Sequence, residues 1–282
     1  KDYGSHKGIF DVSLSVKKGE VYGFLGPNGA GKTTTIRHLL GFLRPEKGSC
    51  RILGMDCFHE AAVIQKSLGY LAGEIAFPED CTGDGLLRLL AEMKGIKDKS
   101  RMRELMELLE LDPSGRVRKM SKGMKQKIGI VCAFMNPLAS ILILDEPTSG
   151  LDPLMQNRFV ELILSEKKKG KTILMSSHMF EEIERTCDRA AIIRDGRLVA
   201  VEEMEKLKEG RQKVIDITFR EADMAEAFAA AFPEAVYQPG SKTVTAKVGK
   251  NLDAFIKKAG AYTVTDFDVR TQSLEEFFMH FY

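Results

Sequence analysis

The sequence contains few cysteines and histidines, and neither type is arranged as a metal site or a disulfide framework. Its five cysteines and five histidines are scattered along 282 residues, and no C-x-x-C occurs. An odd number of isolated cysteines is typical of a reduced, cytosolic protein and does not indicate structural zinc. We therefore expect neither disulfides nor a zinc centre.

An excess of charge of either sign is also missing. Lys and Arg number 42 against 40 Asp and Glu, and no basic block stands out. Domains that bind nucleic acid usually carry a basic patch or stripe. Nucleic acid is therefore not an expected partner.

Neither a signal-peptide pattern nor a clear membrane-spanning run is seen in the given sequence. Residues 128–144 are uncharged, but Asn136-Pro137 interrupts them. Because proline stops a helix, this stretch predicts a buried helix, a turn and a buried strand. If the protein works at a membrane, a separate chain must span it. The chain starts without an initiator methionine, and we expect further residues before Lys1.

The composition and length favour a globular protein. Hydrophobic residues make up 44% of the chain, which is ample for a packed core, and 282 residues suggest about two domains. Internal repeats and low-complexity tracts are not seen in the sequence.

Residues 26–33 match the phosphate-binding pattern G-x-x-x-x-G-K-[ST]. A short apolar strand is predicted before this loop at 21–25, and a helix after it at 34–40. Such a unit directs backbone N–H groups and the positive end of a helix at one point. Lys32 is placed to reach the β- and γ-phosphates, and the Thr33 hydroxyl to bind Mg²⁺. The nucleotide-binding residues predicted here are Gly26, Pro27, Asn28, Gly29, Ala30, Gly31, Lys32, Thr33 and Thr34.

Two acids and a histidine follow predicted strands further along the chain. The apolar run 141–144 predicts a buried strand that delivers Asp145 and Glu146 at its carboxyl end, the usual place for chemistry in an α/β sheet. Residues 172–176 predict the next buried strand, and His178 lies just past its end.

The pattern divides the chain into a domain at 1–206 and a second at 207–282. The first alternates strands and helices, as an α/β fold does, with an inserted helical subdomain at about 84–136. The second predicts the order β-α-β-β-α-β of a small ferredoxin-like α+β domain, followed by a helix at 273–280. Its sequence holds no recognisable ligand site.

Three local features are predicted as well. Val12, Leu14 and Val16 alternate with polar residues, as in a half-buried strand. Residues 51–54 predict another short strand. Asp84 is a suitable N-cap for the helix that opens the subdomain.

The order of these motifs resembles the ATP-binding cassette (ABC) ATPases of transporters. The resemblance covers residues 3 to about 201, and it implies a P-loop NTPase fold. The family's signature loop, usually Leu-Ser-Gly-Gly-Gln, stands here as Met120-Ser121-Lys122-Gly123-Met124. Similar variants, and a similar C-terminal extension, are typical of bacterial exporter ATPases that pair with a separate ABC-2 type permease.

The resemblance also implies a mechanism. Two subunits, expected to be identical, close head-to-tail around two ATP molecules, and Ser121 and Gly123 of one contact the γ-phosphate held by the other. Asp145 would bind Mg²⁺, and Glu146 would be the general base for the attacking water. His178 would bond the γ-phosphate and orient that water. Two further nucleotide-binding residues are implied, Asp152 of the Ser-x-Leu-Asp motif and Tyr3, whose ring would stack on adenine.

One position departs from the family pattern. The family usually has a glutamine after the strand that runs through Leu71, where its side chain reaches Mg²⁺ and the water. Gly73 stands there in this sequence, followed by Glu74. This departure puts in doubt the usual coupling between the nucleotide and the permease.

The sequence as a whole predicts the ATP-hydrolysing subunit of a transporter, with ATP and Mg²⁺ as cofactors. Its expected partners are a second cassette and an integral-membrane permease, which would hold it on the cytoplasmic face of the membrane. Two alternatives remain open. One is a soluble cassette ATPase outside transport. The other is a nucleotide-binding regulator that does not hydrolyse ATP, which Gly73 favours and the presence of both Glu146 and His178 opposes.

Overall fold

The computed structural model describes residues 1–4, 7–210, 213–232, 235–248, 252–273 and 275–276. The chain divides into two units, Lys1–Met204 and Glu205–Tyr282. Each unit has a sheet and a hydrophobic core of its own, and each is described by itself.

Parallel strands form most of the main sheet of the first unit. The strands of this unit are β1 (Val21–Leu25), β2 (Arg51–Ile52), β3 (Met55–Asp56), β4 (Leu68–Leu71), β5 (Ile141–Asp145), β6 (Thr172–Ser177), β7 (Arg189–Arg194) and β8 (Arg197–Glu203). The main sheet has the order β4-β5-β6-β1-β7-β8. Its neighbouring strands run parallel except in the hairpin β7–β8.

Helices connect these strands. They are α1 (Lys32–Leu39), α2 (Ala61–Ile64), α3 (Gly83–Met93), α4 (Ser100–Leu108), α5 (Lys122–Phe134), α6 (Pro153–Lys168) and α7 (Phe180–Thr186), and α8 (Met204–Gly210) begins at the last residue of the unit. Within the predicted helical subdomain, α3 and α4 both pack on α5, and α5 also packs on β4 of the main sheet.

Helices cover both faces of the sheet, as a largely parallel sheet requires. Tyr22 and Phe24 of β1 share a core cluster with Ile36 of α1. Gly23 points to the opposite face, where a Cβ would lie 2.8 Å from the side chain of Ile183 in α7. The central strand β1 is therefore buried from both sides.

The register of the central strands brings their carboxyl ends to one edge. Asp145 of β5 lies opposite Ser176 of β6, and Leu25 of β1 lies opposite Ser177. The residues that follow these strands directly are Gly26, Glu146 and His178. The sheet thus gathers at one edge the residues in which the sequence predicts chemistry.

The uncharged stretch 128–144 folds as predicted, because α5 ends at Phe134 and β5 begins at Ile141. In the described part of the chain, none of the helices combines the length and the apolar character needed to cross a lipid bilayer.

One predicted strand is wrong. Residues 11–17 form no strand, although their side chains alternate between exposed and half-buried as predicted, with the apolar ones packed on the core. Alternation shows which side is buried, but a strand also needs a neighbour to share backbone hydrogen bonds. The short strand predicted at 51–54 is present as β2 over Arg51–Ile52, and Leu53 and Gly54 form the turn to β3 with φ of 52° and 81°.

The N-cap predicted at Asp84 is also wrong. The side chain of Thr82 caps α3, accepting a hydrogen bond from the backbone N–H of Gly85 at 3.1 Å. Asp84 lies in the first turn and pairs with Arg88 at 2.9 Å. Threonine is a good N-cap and an acid is favourable in the first turn, so both residues suit the positions they occupy.

The second unit has the topology predicted for it. Its elements are β9 (Lys213–Phe219), α9 (Ala222–Ala231), β10 (Ala235–Tyr237), β11 (Thr243–Val248), α10 (Leu252–Ala259) and β12 (Val264–Thr271). The sheet order β10-β11-β9-β12, antiparallel throughout, is that of a ferredoxin-like split βαβ. Phe219, Phe228 and Phe255 lie in its core. The helix predicted at 273–280 lies largely outside the described residues.

Candidate nucleotide-binding and catalytic site

The loop between β1 and α1 leaves its backbone open to an anion. Gly29 and Gly31 have φ of 81° and 110°, and a Cβ at Gly29 would meet no atom within 4 Å. At Gly26 a Cβ would lie 2.4 Å from the carbonyl oxygen of Ile193, so a side chain is excluded there. The loop leads into the start of α1, where free backbone N–H groups and the helix dipole favour negative charge. This donor set fits the phosphates of a nucleotide.

The other predicted residues of the loop differ in exposure. Pro27 and Asn28 are exposed, Ala30 is buried and Thr34 is half-buried. The backbone carbonyl of Thr34 lies 2.8 Å from Nδ1 of His38. The exposed residues are those at the tip of the loop, where a ligand can approach.

Lys32 places a buried ammonium group in the middle of the site. Its side chain is 6% exposed, and Nζ donates to the carbonyl oxygens of Gly26 at 2.6 Å and Pro27 at 3.3 Å. Nζ also lies 3.0 Å from Oε1 of Glu146, an ion pair in which Oε1 makes no well-aligned hydrogen bond. A buried cation held by neutral carbonyls and one carboxylate is well placed to exchange partners with phosphate oxygens.

Asp145 and Thr33 place two oxygen ligands side by side. Asp145 is fully buried, and the Thr33 hydroxyl donates to its Oδ2 at 2.7 Å. The Ser176 hydroxyl donates to its other carboxylate oxygen. Hydroxyl and carboxylate oxygens are the ligands that Mg²⁺ prefers, so this pair fits the predicted metal.

Glu146 is held against His178 by its backbone as well as its side chain. Nδ1 of His178 lies 2.6 Å from Oε2 of Glu146, a hydrogen bond that requires the proton on Nδ1. Glu146 has a φ of 47°, which is strained for a residue other than glycine. Its N–H donates to the Ser176 hydroxyl at 3.1 Å. Gln126, which is buried, donates to the carbonyl oxygens of Glu146 at 3.3 Å and Pro147 at 2.7 Å.

Gly73 lies directly beside the metal-ligand candidate. A Cβ at this position would lie 3.1 Å from Oδ2 of Asp145 and 3.2 Å from its Cγ. The backbone of Gly73 therefore lies so close to the Asp145 carboxylate that a side chain at position 73 would crowd it. Gly73 and Glu74 also line a pocket of about 370 Å³ with Met120, Lys122, Lys125 and Gln126.

The start of α5 carries the two predicted signature residues. Ser121 caps the helix, its hydroxyl accepting from the N–H of Met124 at 3.2 Å. A Cβ at Gly123 would lie 2.8 Å from the carbonyl oxygen of Gly150, so α5 rests on the loop that follows Glu146. Lys122 strengthens this contact, since Nζ lies 2.9 Å from the Ser149 hydroxyl.

The structure does not bring every predicted site residue to the phosphate loop. Among the described contacts, none joins Ser121 or Gly123 to residues 26–33 of the same chain. Asp152 caps α6 and accepts from the N–H of Met155 at 3.0 Å, a bond that lowers its pKa. Tyr3 is 52% exposed, and Nζ of Lys1 lies 5.2 Å from its ring centroid. The roles assigned to these four residues stay predictions, as do those assigned to the residues gathered at the phosphate loop.

Ser176, Gln126 and Glu182 complete the surroundings of the site, and the sequence reasoning missed them. Ser176 has a signal in retrospect, because two serines end an otherwise apolar strand. Glu182 lies on α7, and its carboxylate accepts from the Ser177 hydroxyl at 2.6 Å. Burial raises the pKa of Glu182 to about 7, with hydrogen bonding to Ser177 and Thr148 acting in the opposite direction. Nothing in the pattern of α7 distinguishes this glutamate from its exposed neighbours.

Residues 9–149, which carry the phosphate loop, the signature residues and both acids, match the family described as ABC transporter. The chain belongs to the ABC transporter family. The family prediction is therefore confirmed, and this ABC protein is an ATP-binding and ATP-hydrolysing subunit of a transporter.

Relatives of this ABC subunit include proteins with named roles. It is 37% identical over 228 residues to the bacitracin transport ATP-binding protein BcrA of Bacillus licheniformis, covering 80% of this chain and 74% of that protein. It is 31% identical to the daunorubicin resistance ATP-binding protein DrrA3 of Streptomyces coeruleorubidus, covering 99% and 92%.

Solved structures agree with the ABC fold. An ATP-binding subunit of an ABC transporter shares 34% identity with this chain at a TM-score of 0.63, covering 71% of this chain and 85% of that one. A dimeric cassette in a post-hydrolysis state with ADP and Pi has a TM-score of 0.64 at 22% identity, covering 70% and 90%. The second likeness concerns the fold alone.

Proposed function

We propose that this ABC subunit hydrolyses ATP at the interface of a head-to-tail homodimer and thereby drives a separate membrane permease. The observation that carries this proposal is the division of the predicted site. Lys32, Asp145, Glu146 and His178 meet at one edge of the sheet, whereas Ser121 and Gly123 start a helix with no described contact to the phosphate loop. Half of the γ-phosphate ligands are then supplied by a second copy.

The phosphate loop and Lys32 bind the triphosphate. Backbone N–H groups at the start of α1 receive the phosphate oxygens, and the Lys32 ammonium exchanges Glu146 for them. When Lys32 turns to the phosphates, the Glu146 carboxylate loses this ion pair and keeps only the hydrogen bond with His178. It can then accept a proton from water. Tyr3 supplies a ring for the base, and the second copy supplies Ser121, Gly123 and the start of α5.

Thr33 and Asp145 hold the Mg²⁺ that accompanies the nucleotide. When bound there, Mg²⁺ would supply positive charge that neutralises the phosphate oxygens and the leaving group. The oxygen pair Thr33–Asp145, fixed by Ser176 on its other side, supports this assignment.

Glu146 and His178 serve the attacking water. Glu146 accepts a proton from the water as general base. Nδ1 of His178 donates to Glu146, so Nε2 is the nitrogen left for the γ-phosphate oxygen, and it can donate there only when the imidazole carries a proton on both nitrogens. The imidazolium then directs a donor at the phosphate while the Glu146 carboxylate faces the water.

The test is the Glu146→Gln variant, measured by light scattering with and without ATP. The substitution removes the base and keeps the shape and most hydrogen bonds, so ATP should convert monomer to dimer and hydrolysis should fall at least about 100-fold. Glu181→Gln is the matched control, because Glu181 is an exposed acid near the site whose described ion pair is with Arg185. A Glu146→Gln chain that binds ATP and stays monomeric would overturn the homodimer.

The permease partner and the cytoplasmic membrane face follow as part of the same proposal. Relatives named for bacitracin transport and daunorubicin resistance support export of a small molecule. Co-expression with a candidate ABC-2 type permease should retain the tagged chain in the membrane fraction. Recovery of the chain only in the soluble fraction, with an unchanged ATPase rate, would reject that permease as partner.

A further inference from the structure

Glu182 is a buried acid beside the catalytic pair, and the mechanism above does not use it. It lies in α7, four residues after His178, and is 6% exposed. One of its carboxylate oxygens, Oε1, is buried without a well-formed hydrogen bond. Burying an acid in this way is costly unless the acid is hydrogen-bonded, paired with a cation or protonated.

The hydroxyl of Ser177 links Glu182 to the turn that carries His178. Ser177 Oγ donates to Oε2 of Glu182 at 2.6 Å and accepts from the N–H of Met179 at 2.9 Å. A serine hydroxyl has one proton, so giving it to Glu182 leaves its lone pairs directed at Met179. The competing acceptor is the carbonyl oxygen of Met179, at 3.5 Å. Glu182 therefore favours one orientation of the hydroxyl, and the bond from Met179 to Ser177 spans His178.

Glu182 also faces the loop that follows Glu146. Thr148, which is buried, lies close enough to this carboxyl to lower its pKa. Ser149, the next residue, donates its N–H to the carbonyl oxygen of Glu146 at 3.1 Å. The Glu182 carboxyl group is thus linked to two segments, the turn that carries His178 and the loop that follows Glu146. The side chains of His178 and Glu146 form the hydrogen bond described above.

We propose that Glu182 is a positioning residue for ATP hydrolysis, which fixes the Ser177–Met179 turn so that His178 stays directed at Glu146. This inference rests on the roles proposed above for Glu146 and His178. Glu182 touches neither the nucleotide nor the water; it acts through Ser177. Its carboxyl needs only to accept the Ser177 proton, which a neutral side-chain amide can also do.

The experiment compares Glu182→Ala and Glu182→Gln with the wild-type chain and with Glu181→Ala. Steady-state ATPase rates, affinity for a fluorescent ATP analogue and the Tm are measured for each. Glu182→Ala should lower kcat about 10- to 100-fold, the range expected when a catalytic group is misplaced, with KM and nucleotide affinity within about twofold of wild type. Glu182→Gln should restore most of the rate, and Glu181→Ala should resemble wild type.

A double-mutant cycle separates positioning from mere stability. If Glu182 acts through His178, adding Glu182→Ala to a His178→Ala chain should lower kcat no further, because the group it positions is already gone. A full additional loss in that background would overturn the proposal. So would a Glu182→Ala chain with wild-type kcat, or a loss that Glu182→Gln fails to rescue and that follows the Tm.

Together with Glu146→Gln, these variants distinguish a wrong role for Glu182 from a wrong catalytic site. If Glu146→Gln and His178→Ala both hydrolyse ATP at the wild-type rate, the site is wrong and the role of Glu182 fails with it. If those two chains are inactive and Glu182→Ala is fully active, only the role of Glu182 is overturned.

Discussion

The backbone of Gly73 packs against the carboxylate of Asp145 so closely that a Cβ would lie 3.1 Å from Oδ2. Asp145 has little freedom to yield, since Thr33 and Ser176 donate to its two oxygens. From the resemblance to the ABC family, a glutamine is expected at this position. The packing around Asp145 in this chain therefore suits a glycine at position 73.

We expect Gly73→Gln to lower activity instead of improving it. The new side chain must displace the Asp145 carboxylate, which should raise the Mg²⁺ concentration needed for half-maximal ATPase activity several-fold. Titration of the rate with Mg²⁺ at saturating ATP measures this. Glu74→Gln, a change at the next residue, is the control. Faster hydrolysis in Gly73→Gln at unchanged Mg²⁺ dependence would contradict the expectation.

Gln126→Leu should loosen Glu146 without touching its side chain. Leucine keeps a similar volume and removes the donor to Pro147 and Glu146, which leaves the buried carbonyl oxygen of Pro147 without its described donor, while that of Glu146 still accepts from Ser149. Such a loss costs about 1–3 kcal/mol. Chemical denaturation should show this decrease in the free energy of unfolding together with a lower kcat. Lys125→Gln, one position earlier on α5, should change neither quantity by a comparable amount.

Glu166→Gln should destabilise the first unit through a buried ion cluster. Glu166 is fully buried, and its carboxylate oxygens lie 2.6 Å from Arg101, 2.7 Å from Lys169 and 2.6 Å from Lys171. Removing its charge leaves the buried Lys171 without its described ion-pair partner and should cost about 3–5 kcal/mol. Lys169, which is 53% exposed, offers the control, because Lys169→Gln should cost less than about 1 kcal/mol.

The Glu166 effect should also depend on pH. Burial alone would raise the pKa of this carboxyl, but hydrogen bonds and charges from Lys169, Lys171 and Arg101 lower it overall from 4.5. An acid with a lowered pKa stabilises the folded state above its unfolded pKa, and this contribution is lost as the pH falls through its folded pKa. The stability difference between wild type and Glu166→Gln should therefore be constant near neutrality and shrink below about pH 4.5.

Glu182 should show the opposite dependence. Its pKa is raised from 4.5 to about 7, so the folded chain binds more protons than the unfolded chain between these values. Stability then falls as the pH rises through this window, by about 3 kcal/mol for a shift of this size. Glu182→Gln removes the titration and should gain stability relative to wild type between pH 5 and pH 8. Parallel stability curves for the two chains would contradict the raised pKa.

Most strands, and the candidate site residues at their carboxyl ends, could be predicted from the sequence, because both depend on short local patterns. An apolar run followed by Asp145-Glu146 leaves little choice of structure, and the register of β5 and β6 then brings Ser176 to Asp145. The alternating segment 11–17 was predicted wrongly, since a strand depends on a neighbour from elsewhere in the chain. Glu182 could not be found either. Its burial depends on how α7 lies on the sheet, which no local pattern records.

The contact of Gly123 with Gly150 has a consequence for how two sites would work together. In the proposed dimer, the start of α5 touches the ATP of the other copy, while Gly150 belongs to the loop that follows this copy's own Glu146. A nucleotide bound on one side then presses on the catalytic loop of the other. We expect the ATPase rate to rise sigmoidally with ATP concentration. Gly123→Ala would place a Cβ 2.8 Å from the carbonyl oxygen of Gly150 and disturb this contact. In this variant the ATPase rate should depend hyperbolically on ATP concentration.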